Sequence, residues 1–211
     1  MDMPETAATP AAELTEDQAE ERLRLGLIVD LDAGFAELVR HHERVVYSVA
    51  LRLTAGSADA EDLAAEVFLR AYRALRDYDA ERIRELRTRA WLLTILRNTA
   101  RNAARDAARR PGPPPAFDPP ELANAGPGVE QRVEDALMQR EWARLLALLP
   151  EAQRMAVVLR HVEDLPTAEI AQILGCRAGT AKSHVSRGLT RLRALLADCA
   201  AGTIDPRGGS R

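Results

Sequence analysis

Leu165 to Leu196 reads LPTAEIAQILGCRAGTAKSHVSRGLTRLRALL, and two helical periods meet in it across a glycine. Ile170, Ala171 and Leu174 stand at i, i+1 and i+4, the apolar face of a short helix, and Gly175 is the residue type that takes a positive φ where a helix ends. Beyond it, Ala181, Val185, Leu189, Leu192 and Leu196 recur every three or four positions, which turns one stripe of a second helix toward the first. The opposite face then carries Ser183, Ser186, Arg187 and Thr190, with Lys182 at its edge. Short polar and cationic side chains on one helix face suit base edges and phosphates. From Arg177 to Leu196 there are five Lys or Arg and no acid, so the field around this helix is positive. The segment is expected to be a helix-turn-helix that contacts duplex DNA.

Working outward, the chain divides by composition. Residues 111–128, PGPPPAFDPPELANAGPG, hold seven of the twelve prolines and too few large apolar side chains to fold. Such a linker spans roughly 55 Å when fully extended, at about 3.1 Å per residue. The expected organisation is an acidic disordered N-terminus over residues 1–24 and a helical domain over 25–110. A Pro/Gly-rich linker over 111–129, a helix-turn-helix domain over 130–199 and a disordered tail over 200–211 complete it. The fold class is all-α, two small helical domains joined by a Pro-rich flexible linker.

In the first domain, 35–53 and 58–75 both show helical periodicity. Ser57 is the expected N-cap of the second of these helices, whose apolar face is Leu63, Val67, Phe68, Ala71 and Leu75. Asp59, Asp62 and Glu66 line another face at i, i+3 and i+7. The next helix, WLLTILRNTARNAARDAARR over 91–110, places Arg97, Arg101, Arg105 and Arg109 at successive i+4 positions, with Asn98 and Asn102 on the adjoining stripe. A ladder of guanidinium groups beside amides matches a nucleic-acid backbone with bases presented next to it.

Charge is segregated along the chain. The net charge is −3, yet residues 1–21 hold seven acids and no base, whereas 87–110 hold seven arginines against the single Asp106. Separation of this kind points to separate partners. The acidic segment is expected to screen the basic faces. Apolar residues make up 46% and charged residues 29% of the chain, a globular balance, and no run approaches the roughly 18 apolar residues of a membrane span. A cytoplasmic protein is expected. Cys176 and Cys199 have no metal-ligand neighbours and read as reduced thiols. No Gly-rich phosphate loop, metal-ligand cluster or paired nucleophile is evident, and the four histidines lack carboxylate partners at useful spacing, so neither an enzyme nor a cofactor is expected.

The segments DAEDLAAEVFLRAY (59–72) and RAWLLTILRNTARN (89–102), the Pro-rich linker, and LPEAQRMAVVLRHVEDLPTAEIAQILGCRAGTAKSHVSRGLTRLRALL (149–196) together resemble an extracytoplasmic-function (ECF, group IV) sigma factor of bacterial RNA polymerase. The likeness runs over about residues 30–197, in order and spacing. It implies that the helix bearing Asp59, Asp62 and Glu66, with Leu63 and Phe68, docks on the clamp helices of the polymerase largest subunit. It further implies that Asn98, Arg97, Arg101, Asn102 and Arg105 take the minus-ten element as a melted single strand. Lys182, Ser183, His184, Ser186 and Arg187 would read the minus-thirty-five element as duplex, and an anti-sigma factor is an expected partner. The sequence departs from the family pattern at Ala65, where Gln is common, at Pro166, which leaves Thr167 as the expected N-cap, at Arg177 in the cap position of the recognition helix, and at His184, where a second arginine is common. A stand-alone helix-turn-helix regulator is the alternative. It would leave the acidic helix, the arginine ladder and the linker without a role, and no heptad for its dimerisation stands outside the domain cores.

Overall fold

The computed structural model describes residues 15–54, 56–109, 138 and 141–201, all helices and short connections with no strand among them. The first domain is built from α1 (Glu16–Val29), α2 (Leu31–Leu53), α3 (Ser57–Leu75), the single turn α4 (Ala80–Arg84) and α5 (Thr88–Arg109). The second contains helical residues 141–147 (α6), α7 (Glu151–His161), α8 (Thr167–Leu174) and α9 (Ala178–Ala200). The proline-rich linker and the tail beyond residue 201 lie outside the described residues.

The expected boundary at residue 25 is corrected. The helix α1 begins at Glu16, where Thr15 and Gln18 form a capping box: the Gln18 amide N–H reaches the Thr15 hydroxyl, and the Thr15 N–H donates to Gln18 Oε1 at 2.9 Å. Acids in the first turn, Glu16 and Asp17, complement the helix dipole. Leu23 and Leu27, one turn apart, are buried, and burial of side chains this size stabilises by roughly 1.5–3 kcal/mol each. Asp30 then closes α1 and opens α2, its Oδ1 accepting from the amides of Asp32 and Ala33 at 3.0 Å. The two helices meet at Gly26 and Gly34, where a Cβ on Gly34 would overlap the Gly26 carbonyl group. Only hydrogen at Gly34 allows this approach, whereas a Cβ on Gly26 would make ordinary contact with the Gly34 Cα at 3.6 Å.

Two other caps differ from expectation. Gly56, not Ser57, is the cap residue of α3, and Pro166, not Thr167, precedes α8; neither offers a side-chain bond to the first turn. In α8 the Pro166 carbonyl still accepts from Glu169 and Ile170, which starts the helix without a hydroxyl. The turn at Gly175 is as the sequence requires, with φ 62° and ψ 40°, and the Cys176 N–H bonds the Ala171 carbonyl at 3.0 Å.

The apolar faces form the cores. Val67, Ala71 and Leu75 of α3 pack with Leu38, Val46 and Val49 of α2 and Leu92, Leu93 and Leu96 of α5, all fully or nearly fully buried. In the second domain Met155, Val158 and Leu159 of α7 join Ile170 and Ile173 of α8 and Ala181 of α9. Gly188 lets α9 approach α7 closely, since a Cβ there would stand 2.6 Å from Val157 Cγ2. Leu196, read as the last member of the α9 stripe, is 38% exposed, so the buried part of that stripe ends at Leu192. The two domains touch along α5 with α8 and α2 with α7, so the buried cluster continues from one into the other.

Candidate nucleic-acid interface

α5 owes its position to a cap supplied from far along the chain. The Glu20 carboxylate of α1 accepts from the Thr88 amide at 3.1 Å, the Thr88 hydroxyl at 2.8 Å and the Arg89 amide at 3.3 Å, meeting donors that a helix N-terminus leaves unpaired. Because the Thr88 hydroxyl gives its proton to Glu20, it accepts from His42 Nε2 at 2.7 Å, which sets the His42 tautomer. His42 is buried, and burial, reinforced by neighbouring His41, lowers its pKa from 6.5 to about 4. It is neutral at pH 7. Trp91 packs partly buried against this core and against the Tyr78 ring, as a core anchor.

Seated this way, α5 turns Leu92, Leu93 and Leu96 inward with Asn98 exposed opposite them, and beyond residue 100 it runs past the core, so that Arg101, Asn102, Arg105 and Arg109 are exposed together with the other described residues of that stretch. The ladder is interrupted at its first rung. Arg97 does not share the open face: its side chain is 18% exposed, its Nη1 donates to the Ile173 carbonyl at 3.1 Å, and its Nε lies 3.7 Å from Glu151 Oε1 of the second domain. The geometry corrects the reading of four equivalent arginines, because Arg97 alone of the four is taken up by contacts with α8 and α7.

On α9, Lys182, Ser186 and Arg187 are exposed, while Ser183 and His184 are half-buried. Ser183 Oγ donates back to the Gly179 carbonyl at 2.9 Å, and His184 Nδ1 is enclosed without a hydrogen-bond partner. The freely presented groups are therefore Lys182, Ser186 and Arg187, a positive face at the start of a 23-residue helix.

On α3, Asp59 and Asp62 are exposed and Glu66 is tied to Arg70 one turn on, at 2.6 Å. Leu63, read with this face, is 8% exposed and belongs to the core beneath the acidic side chains. Phe68 is half-buried, its ring edge-to-face with Phe35 at 6.5 Å.

The residues that sequence reasoning missed are Glu20, His42 and Thr88, together with Ser48, Arg89 and Glu163 at the domain contact. One signal for α1 was available, the Thr15-x-x-Gln18 box ahead of Leu23 and Leu27. The histidine has a carboxylate after all, reached through Thr88. The acids of residues 16–21 do not simply screen the basic faces, since Glu16 pairs with Arg89 at 3.3 Å and Glu20 caps α5. Among the described residues no group of His, Cys, Asp and Glu is placed to hold a metal, and no helix is long and apolar enough to cross a membrane.

Residues 38–110 match the Sigma-70 region 2 family and residues 139–192 the Sigma-70 region 4 family. The ECF RNA polymerase sigma-E factor of Escherichia coli is 31% identical over 183 residues, covering 83% of this chain and 91% of that protein. The chain belongs to the ECF sigma factors. The ECF RNA polymerase sigma factor SigE of Mycolicibacterium smegmatis is 33% identical over 161 residues, 76% of this chain, and the alignment spans 61% of that longer relative. A solved structure of the sigma factor RpoE from Bartonella quintana, in complex with the anti-sigma factor NepR, has a TM-score of 0.55 at 25% identity and covers 77% of this chain and 96% of that one. In this sigma factor the region 2 match starts at Leu38, inside α2, so α1 and its cap on α5 lie outside the matched segment.

Proposed function

We propose that this ECF sigma factor joins core RNA polymerase in the cytoplasm and directs initiation at promoters of its own, with the first domain acting as region 2 and the second as region 4. The observation that carries the reading is the exposed surface of α5, where Asn98 stands opposite the buried Leu92, Leu93 and Leu96, and Arg101, Asn102 and Arg105 follow where the helix runs past the core. Extruding a base costs a few kcal/mol of unstacking. Arginines on strand phosphates and asparagine amides on a base edge offset that cost for a melted minus-ten element. Lys182, Ser186 and Arg187, flanked by Ser183 and His184, meet the minus-thirty-five element in the major groove, and the duplex keeps its stack there. Asp59, Asp62 and Glu66, with Phe68 beside them, form the surface for the clamp helices of the polymerase largest subunit. An anti-sigma factor is a further partner, in keeping with the complex of the Bartonella relative. Bond-forming chemistry belongs to the polymerase.

The test is transcription by core polymerase supplemented with this protein on genomic DNA, read as discrete start sites. Once a promoter is in hand, Asn98→Ala is expected to impair permanganate-detected opening more than closed-complex binding, and Arg187→Ala the reverse. Equal effects of both changes in both assays would sink the assignment. DNA binding without any association with polymerase would favour the stand-alone regulator.

A further inference from the structure

We propose that a cavity beside α2 and the second domain is a binding site for a small amphiphilic carboxylate, of the size of a medium-chain fatty acid. The cavity measures about 350 Å³, within the range of small-molecule sites, and no residue read as contacting promoter or polymerase lines it. Its apolar walls are Leu51 of α2, Trp142 and Leu146 of α6, Val158 of α7, and Leu189 and Leu192 of α9. Trp142 and, just past α7, Val162 line it while remaining 42% and 38% exposed, large apolar side chains that a filled cavity would cover.

The charge on the wall points to the class of occupant. Among the described residues the polar side chains lining the cavity are Arg52 and His161, and no acid lines it. Arg52 is held in place. Its Nη1 donates to the Ser48 carbonyl at 2.8 Å and to the Ser48 hydroxyl oxygen at 3.1 Å, while that hydroxyl gives its own proton to Glu163 Oε1 at 2.7 Å. Both Arg52 bonds use one nitrogen, so Nη2 and Nε have no hydrogen-bond partner among the described residues. A positioned guanidinium with donors to spare, against an apolar chamber, matches a carboxylate carrying a hydrocarbon body. At the roughly 30 Å³ of a liquid water molecule, the cavity takes about a dozen non-hydrogen atoms, an alkyl chain of about eight to ten carbons with its carboxylate. A partner helix, about 10 Å across with its side chains, does not fit.

Full-length protein titrated with sodium octanoate tests this, with 1-octanol supplying the chain without the charge and acetate the charge without the chain. Calorimetry reads the affinity, and the indole N–H signals in a nitrogen–proton correlation spectrum read the place, Trp142 at the cavity against Trp91 in the first domain. Octanoate is expected to bind one to one, to shift the Trp142 signal saturably with Trp91 unmoved, and to raise Tm. Octanol and acetate should each bind at least tenfold more weakly, a comparison on the unaltered protein that needs no variant. Arg52→Gln should weaken octanoate at least tenfold and leave octanol unchanged, and Val162→Phe, which fills the cavity, should abolish both, with circular dichroism showing each variant folded. Equal shifts at both tryptophans, or none that saturates, would overturn the site. Octanol binding as tightly as octanoate, or Arg52→Gln without effect, would overturn the carboxylate and leave the cavity to an apolar side chain of a partner protein.

Discussion

Replacing Glu20 by Ala removes a cap that joins the first helix of the chain to the fifth. Three donors lose their acceptor: the Thr88 amide, the Thr88 hydroxyl and, at the longest distance, the Arg89 amide. Thr88 is fully buried, so its groups gain little from water in return. A hydrogen bond to a charged group contributes about 1.5–3 kcal/mol, and the contributions of neighbours sharing one carboxylate do not add. A loss of about 2–3 kcal/mol is expected, which for a chain of this size lowers Tm by roughly 5–10 °C. Glu20→Gln keeps one acceptor oxygen and should lose about half as much. Urea unfolding followed by circular dichroism gives the global value, and hydrogen exchange at the amides of Thr88 and Arg89 gives the local one. If Glu20→Ala costs less than about 0.5 kcal/mol, the range of an ordinary surface change, and leaves those two amides equally protected, α5 is positioned by its apolar face alone and the cap is incidental.

Removing residues 1–24 takes away the capping box, Glu20 and buried Leu23 and should lower Tm by more than Glu20→Ala does; a truncation that melts no lower than Glu20→Ala would contradict the role given to α1. His42 carries a pKa depressed from 6.5 to about 4 in the folded chain, so the unfolded chain binds the extra proton first as pH falls. Stability is full above pH 6.5 and declines toward pH 4 by on the order of 3 kcal/mol, a slope that His42→Gln should remove; parallel pH profiles for the two proteins would refute it. Gly188→Ala should destabilise by about 1–3 kcal/mol despite the better helix propensity of alanine, because the added Cβ meets Val157 at 2.6 Å and the Gln153 carbonyl at 3.1 Å; a rise in Tm would show that α9 moves off α7 freely.

What the sequence determined by itself is local. The 3.6-residue period of apolar side chains made 165–196 a helix-turn-helix, Gly175 ended its first helix, and the proline run divided the chain, because each of these effects acts over a few neighbouring residues. The exposure of Asn98 on α5 and of Lys182, Ser186 and Arg187 on α9 was legible for the same reason, as these positions lie off the buried stripes. Tertiary structure decided the rest. Whether Leu63 meets solvent, whether residues 16–24 fold, and which arginine of an evenly spaced ladder is taken by the second domain all depend on what lies across from them. Glu20 finds Thr88 from 68 positions away and Arg97 finds Ile173 from 76, separations over which helical period carries no information. Such pairs form only once the apolar faces have packed and brought the helix ends, with their unpaired donors and carbonyls, within reach of a charge.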